Sequence, residues 1–347
     1  MTNPPEPWVH KNNSIKLSRR ILGSTDLSVS VLGLGCGGHS RLGYMTIPQS
    51  SSIDLIRKAY NMGVNYFDTA ETYRTETLLK KAFDGIAREK YIISSKSDLT
   101  RPWKQYQNKK FHLSKKNYWI NKMSSLTPEK IILQVEDRLK SLGTSYLDIF
   151  FVHGPSLTQY ISTREIIIPT LELLRDQGKI RFFGLTEDYK NDRNHQMLNK
   201  ALDDQLWSVM MVGYNLLNPM EGDLFIRKAK KNDVGIIIMS AINGYLISMN
   251  SLIKELKSLY HLDQERDNIQ KITELLKWSL NVNNISSLSE LAYRFCKDTK
   301  GVDTVLSSTG NINNLSTNIK TFNKSKLSKK FIAEYKNRLT NILCNKQ

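Results

Sequence analysis

The sequence predicts an α/β protein, a (β/α)8 TIM barrel with an N-terminal β-hairpin plug and long βα loops after its third and seventh strands. Three observations predict it. Short apolar runs recur at 28–35, 64–68, 91–96, 147–153, 180–185, 207–213, 234–240 and 302–306. Most are almost continuously apolar, as parallel strands buried on both faces require. Amphipathic segments separate them, and several runs end on an ionisable residue. A parallel barrel gathers such strand ends on one face, where its active site forms.

The elements follow in order. Residues 1–16 form a polar tail. RRILGSTDLSVSVLGLG reads as a hairpin running into the first strand, with Gly-Ser-Thr-Asp as its turn, and it would plug the bottom of the barrel. SSIDLIRKAYNMG has a Ser-rich helix start and a Gly stop. TPEKIILQVEDRLKSLG has a Thr cap, Pro at the first helical position and a closing Gly. TREIIIPTLELLRDQGK and EGDLFIRKAKKNDVG continue the helical series. The connections 97–126 and 241–287 are too long for simple barrel loops. The second has room for extra helices such as QERDNIQKITELLKWSL. Long loops in a compact domain are often functional. The barrel is expected over 17–322, and 323–347 as a basic C-terminal helix packed on or trailing it.

Composition narrows the class. With 347 residues and 40% hydrophobic content, the chain can bury a sizeable core. No apolar run approaches the ~20 residues that span a bilayer. The start, MTNPPEPWVHKNNS, lacks the apolar centre of a secretory signal, so a cytoplasmic address and no membrane association are expected. Cys36, Cys296 and Cys344 are odd in number and unclustered, against a disulfide framework or a zinc site. No metal is expected. The net charge of +17 is unevenly spread. Residues 101–124 carry seven Lys or Arg and no acid, and residues 321–347 carry seven against the single Glu334. Either the chain drifts toward Lys, Asn and Ile, or the charge is an electrostatic funnel for an anionic substrate or surface.

The ionisable strand ends are specific. Asp68 ends VNYFD, Tyr73 follows five residues later in DTAETY, Lys96 ends YIISSK, and His153 ends LDIFFVH. No G-x-G-x-x-G fingerprint opens a helix. LGLGCGG instead reads as a loop that a ligand approaches closely. DTAETYRTE, SSK, the strand ending at His153, the hairpin and GKIRFFGLT together resemble the aldo-keto reductase superfamily, over roughly residues 17–322.

That resemblance implies reversible hydride transfer between a nicotinamide and a carbonyl or alcohol carbon. It casts Tyr73 as general acid/base and Lys96 as the ammonium that lowers the phenol pKa. Asp68 would hold Lys96, and His153 would orient the substrate oxygen. It implies NADP or NAD as cofactor and a small-molecule carbonyl or sugar substrate, and the charge distribution suits an anionic one. The matching cofactor positions are Gly35, Thr186, Glu187, Met211, Met239, Ser240, Leu246, Ser308, Thr309, Gly310, Asn314 and Asn318. Five of these depart from the family pattern. Thr186-Glu187 replaces Ser-Asn at the carboxamide. Met211 stands for Gln, Met239 for the aromatic that stacks on the nicotinamide, and Asn314 for the Arg that meets the 2′-phosphate of NADP. Asn314 therefore weakens the NADP preference.

Trp103 and Trp119, in RPWKQYQNKKFHLSKKNYWINK, are candidate walls of a substrate pocket. Cations interleaved with aromatics also suit nucleic acid. A substrate loop directly after Lys96 needs fewer assumptions. The alternative within the same fold is a catalytically weak sensor or regulatory subunit. The altered nicotinamide contacts motivate it, and the intact set of four speaks for an enzyme.

Overall fold

Successive side chains of a strand take opposite faces. Residues 149–151 of the computed structural model, which describes residues 17–38, 40–44, 46–99, 126–259, 266–282 and 284–344, show the consequence. Phe150 joins a large outer core shared with the helices, whereas Ile149 and Phe151 join a smaller inner one. Both faces of the strand are therefore dry, which explains its unbroken apolar sequence.

β1 (Arg19–Ile21) and β2 (Ser28–Ser30) pair antiparallel. The remaining strands are β3 (Leu32–Gly35), β4 (Tyr66–Asp68), β5 (Ile92–Ser97), β6 (Leu147–Val152), β7 (Ile180–Thr186), β8 (Val209–Gly213), β9 (Gly235–Met239) and β10 (Thr304–Ser307). They close into a parallel barrel in chain order, with β10 returning to pair with β3. The expected single strand over 28–35 is two strands. The Ser30 amide donates to Asn65 Oδ1 at 2.7 Å, and the Val31 amide donates to Ser18 O at 3.0 Å. The Val31 carbonyl already accepts from Val305 of the barrel at 3.0 Å. The chain thus passes from hairpin to barrel at one residue.

The hairpin closes the N-terminal end. Leu22, Leu27 and Val29 are buried in the inner core with Tyr66, Phe151 and Met211. Its turn needs Gly23, which has φ +57; a Cβ there would stand 2.1 Å from the amide nitrogen of Gly235, at the start of β9.

Helices cover the outside. Pro128–Leu142 starts and stops as its sequence predicts, with Thr127 accepting from the Lys130 amide and Gly143 at φ 65. The next, Leu157–Asp176, begins six residues before the expected start. Ser156 and Gln159 form a reciprocal capping box there, and the helix runs on through Pro169. The long connection after β9 holds Met249–Leu259 and Arg266–Val282. The C-terminal helix, Lys329–Cys344, packs on the barrel. Its buried Tyr335 donates to Leu216 O at 3.0 Å, and Lys336 pairs with Asp223 at 2.5 Å. Among the described residues no helix is long and apolar enough to cross a membrane, and no group of His, Cys, Asp and Glu could hold a metal. The basic stretch 101–124, with Trp103 and Trp119, lies outside the described residues.

Candidate active site

β4 ends on Asp68 and β5 carries Lys96, and the two strands are neighbours. Both side chains point into the closed barrel, where a lone charge would be costly. They satisfy each other: Lys96 Nζ lies 2.5 Å from Asp68 Oδ1 and donates to Thr69 O at 2.9 Å. Ser94 also donates to Asp68 Oδ1 at 2.8 Å, and Tyr66 in turn donates to Ser94 at 2.8 Å. Lys96 is 1% and Asp68 2% exposed. Burial, the largest single effect, disfavours the ammonium, but the attraction and hydrogen bond of Asp68 together with Tyr73 and Cys36 outweigh it and raise the Lys96 pKa. This lysine is a fixed positive charge.

Tyr73 and His153 complete the group. The Lys96 ammonium is 5.2 Å from the centroid of the Tyr73 ring, and His153 meets that ring edge-on at 6.0 Å. The ring lies against Gly37, where a Cβ would come within 2.4 Å of it. No side chain among the described residues hydrogen-bonds the Tyr73 hydroxyl. The structure therefore brings all four predicted residues together at the C-terminal mouth. One expectation changes. Burial raises the Tyr73 pKa, and Lys96, which pulls it down, only offsets part of that effect.

The twelve cofactor positions divide. Ser308, Thr309 and Gly310 follow β10 and lead into the helix Ile312–Phe322. Ser308 Oγ donates to Gly37 O at 2.5 Å, tying this loop to the one after β3. The amides of 308–310 make no backbone hydrogen bond among the described residues. Clustered amides before a helix suit phosphate oxygens, so this donor set fits a pyrophosphate-bearing cofactor. Gly35 ends β3 beside Leu306 and Ser308. Ser240 follows β9 with φ 61, and half-buried Met239 packs on the inner core. Asn314 is exposed in the first turn of its helix. Asn318 donates to Ser307 Oγ at 2.9 Å, and the Thr186 hydroxyl accepts from the Gly154 amide at 2.8 Å.

Three positions are enclosed by protein. The Glu187 carboxylate is sealed against His195, whose Nδ1 lies 2.8 Å from Oε2, and Oε1 accepts from the Gly213 amide at 2.6 Å. Neither side chain has any exposure. Met211 lies inside the inner core and Leu246 in the outer one, because apolar side chains at these places are better packed than wetted. His195 was invisible to sequence reasoning, as was Arg41. The Arg41 charge reaches Tyr73, and its backbone is left-handed at φ 39. No sequence pattern marks a non-glycine residue at positive φ.

Comparison with known proteins agrees with this geometry. A model of the aldo/keto reductase family matches residues 32–338. The NADH-specific methylglyoxal reductase of Escherichia coli (strain K12) is 28% identical over 235 residues, which are 65% of this chain and 68% of that one. The L-galactose dehydrogenase of Arabidopsis thaliana is 27% identical over 181 residues, about half of either chain (49% of each). Among solved structures, aldo-keto reductase AKR11C1 from Bacillus halodurans, in its holo form, superposes with a TM-score of 0.69 at 21% identity. It covers 94% of this chain and 96% of its own. That last likeness is one of fold.

Proposed function

The chain belongs to the aldo/keto reductase family, and we propose on that premise that it is an NAD(P)-dependent oxidoreductase interconverting an aldehyde, ketone or sugar with the corresponding alcohol. The observation that carries the reading is the half-buried Tyr73 at the barrel mouth, its ring 5.2 Å from the ammonium of a buried, charged Lys96.

The chemistry assigns each residue a task. A bound nicotinamide would supply the hydride to carbonyl carbon, or take it from the alcohol. Tyr73 delivers the proton to the oxygen and recovers it in the reverse direction. Lys96 stabilises the phenolate left behind, and Asp68 keeps Lys96 in place. His153, edge-on to Tyr73, orients the substrate oxygen. The 308–310 amides hold the cofactor phosphates, with Gly35, Thr186, Met239 and Ser240 around the mouth.

The sealing of Glu187 favours a second reading, a weakly catalytic sensor that binds the nucleotide and turns over little. Loss of NAD(P)H absorbance against a panel of aldehydes, ketones and aldoses separates the two. Turnover that is abolished in Tyr73→Phe supports the enzyme. Cofactor binding without turnover supports the sensor.

A further inference from the structure

Three acids around the Tyr73 segment are committed. Asp68 is paired with Lys96, Glu71 with Arg138 at 3.4 Å, and Glu187 with His195. Arg41 differs: among the described residues it has no carboxylate partner, and it is half-buried rather than free in solvent. Its loop is tightly fixed. Gly37 abuts the Tyr73 ring, Gly38 lies against Ser308, and Gly43 is so close to Gly310 that a Cβ on Gly310 would stand 2.7 Å from the Gly43 amide nitrogen. Arg41 (φ 39) and Leu42 (φ 58) are both left-handed, a conformation that non-glycine residues keep when the surroundings impose it, often at functional sites. Leu42 is fully buried and anchors the turn. On the other side, Arg74 directly follows Tyr73, is exposed, and is left-handed as well at φ 60.

We propose that Arg41 is a specificity-determining residue that binds the carboxylate or phosphate of an anionic carbonyl substrate whose reacting oxygen lies at Tyr73. The inference rests on the function proposed above and names its substrate class: small aldehydes or ketones bearing a carboxylate or phosphate. A guanidinium suits either anion because its planar fork makes paired hydrogen bonds. Arg74 adds charge at the rim of the same mouth. The cofactor also carries phosphates, and the Arg41 loop touches the 308–310 loop as well as the Tyr73 ring through Gly37; the contact with the Tyr73 ring, where the substrate oxygen must be, is the ground for assigning Arg41 to the substrate, and the experiment includes the cofactor as its alternative.

The test compares matched pairs: 4-carboxybenzaldehyde against benzaldehyde, and glyceraldehyde 3-phosphate against glyceraldehyde. Loss of Arg41 changes the electrostatics at Tyr73 for both members of a pair, so the ratio of their kcat/KM values is the readout. The charged-to-uncharged ratio is expected to fall at least tenfold in Arg41→Gln and to recover partly in Arg41→Lys. A second arm needs no turnover: calorimetric titration of the protein with 4-carboxybenzyl alcohol and with benzyl alcohol, where the same variant is expected to lose preference for the carboxylate. An unchanged preference in both arms overturns the assignment. So does a tenfold weaker Kd for NAD(P)H with the preference intact, which would give Arg41 to the cofactor. A wild type that turns over no carbonyl, yet binds the carboxylated alcohol through Arg41, keeps this inference and sinks the proposed function. Turnover with a charge preference indifferent to Arg41 does the reverse.

Discussion

Two buried carboxylates sit at the C-terminal ends of barrel strands, Asp68 in β4 and Glu187 just after β7, and they differ in partner. Asp68 faces an ammonium that stays charged at every physiological pH, and that charge is passed on to a tyrosine at the mouth. Glu187 faces an imidazole and a backbone amide, and its surroundings close over it. His195 Nε2 is buried without a hydrogen-bond partner among the described residues. A protonated imidazole would strand a second N–H there, so the pair is best satisfied as a neutral histidine donating to the carboxylate through Nδ1. Under the proposed function the first carboxylate organises chemistry, whereas the other fastens the ends of β7 and β8.

The largest expected effect breaks the first pair. Tyr73→Phe should lower kcat by ~10²–10⁴-fold while the far-UV circular dichroism stays unchanged. Lys96→Met should lose comparable activity and, unlike Tyr73→Phe, also about 3–5 kcal/mol of stability, because Asp68 is left buried and unpaired. Urea unfolding of the two variants separates these costs. The pH profile sharpens the same point. Burial holds the phenol above its ordinary pKa, so carbonyl reduction should be level through neutral pH and fall only on the alkaline side, as the acid form disappears. Alcohol oxidation should rise over that interval.

Glu187→Ala should act on stability first. It leaves the Gly213 amide and His195 Nδ1 without their acceptor, at a cost of about 3 kcal/mol, with far less loss of kcat than Lys96→Met. Equal kcat losses in the two variants would dissolve the contrast.

A third buried carboxylate, Glu76, behaves differently again. It pairs with Arg138 at 3.0 Å and accepts from Ser95 at 2.8 Å, on the outer face of β5. Burial raises its pKa from 4.5 to about 7, with Arg138 and Ser95 opposing. The folded state therefore binds a proton more tightly than the unfolded one. Stability from this group is complete below the unfolded pKa and is lost as pH rises toward 7, by about 3 kcal/mol. Tm should fall from pH 5 to pH 8, and Glu76→Gln should flatten that slope. A slope unchanged in the variant would assign it to other groups.

The smallest effect concerns cofactor choice. Asn314 stands in the first helical turn after the 308–310 loop, where it offers no charge to a 2′-phosphate. Any preference for NADP over NAD should stay within about tenfold, or ~1.4 kcal/mol. Fluorescence titration of both cofactors checks it, and a thousandfold preference would mean that another cation has taken this task.

The contrast also marks what the sequence discloses. The clustering of Asp68, Lys96 and His153 was legible because each lies at or near the end of an apolar run, and that of Tyr73 because its distance from Asp68 is fixed by a short loop. The Leu157–Asp176 helix start lies in the Ser156-x-x-Gln159 capping box, ahead of Thr163 where the expected segment begins. The break at Val31 was not legible, since it depends on Ser18, Asn65 and Val305, which are far apart in sequence. The enclosure of Glu187 was not legible for a related reason. Its partner His195 sits at φ 55 on the following loop, and tertiary packing decided which groups the carboxylate meets.

The seam between the two ends of the chain has a further consequence. β3 finishes pairing only with β10, Arg20 donates to the carbonyl of Val302 at 2.7 Å, and Thr304 donates to Ser30 O at 2.8 Å. None of these bonds is available to a nascent chain until residue 304 has left the ribosome. At ~5–20 residues per second, synthesis from the end of β3 at Gly35 to Thr304 takes about 13–54 s. For that time β3 and its neighbours form an open sheet whose bare edge invites foreign strands. The last strand to be made is the one that retires the edge, so a nonsense codon before Thr304 should leave a product destined for chaperones and proteases rather than a shortened enzyme.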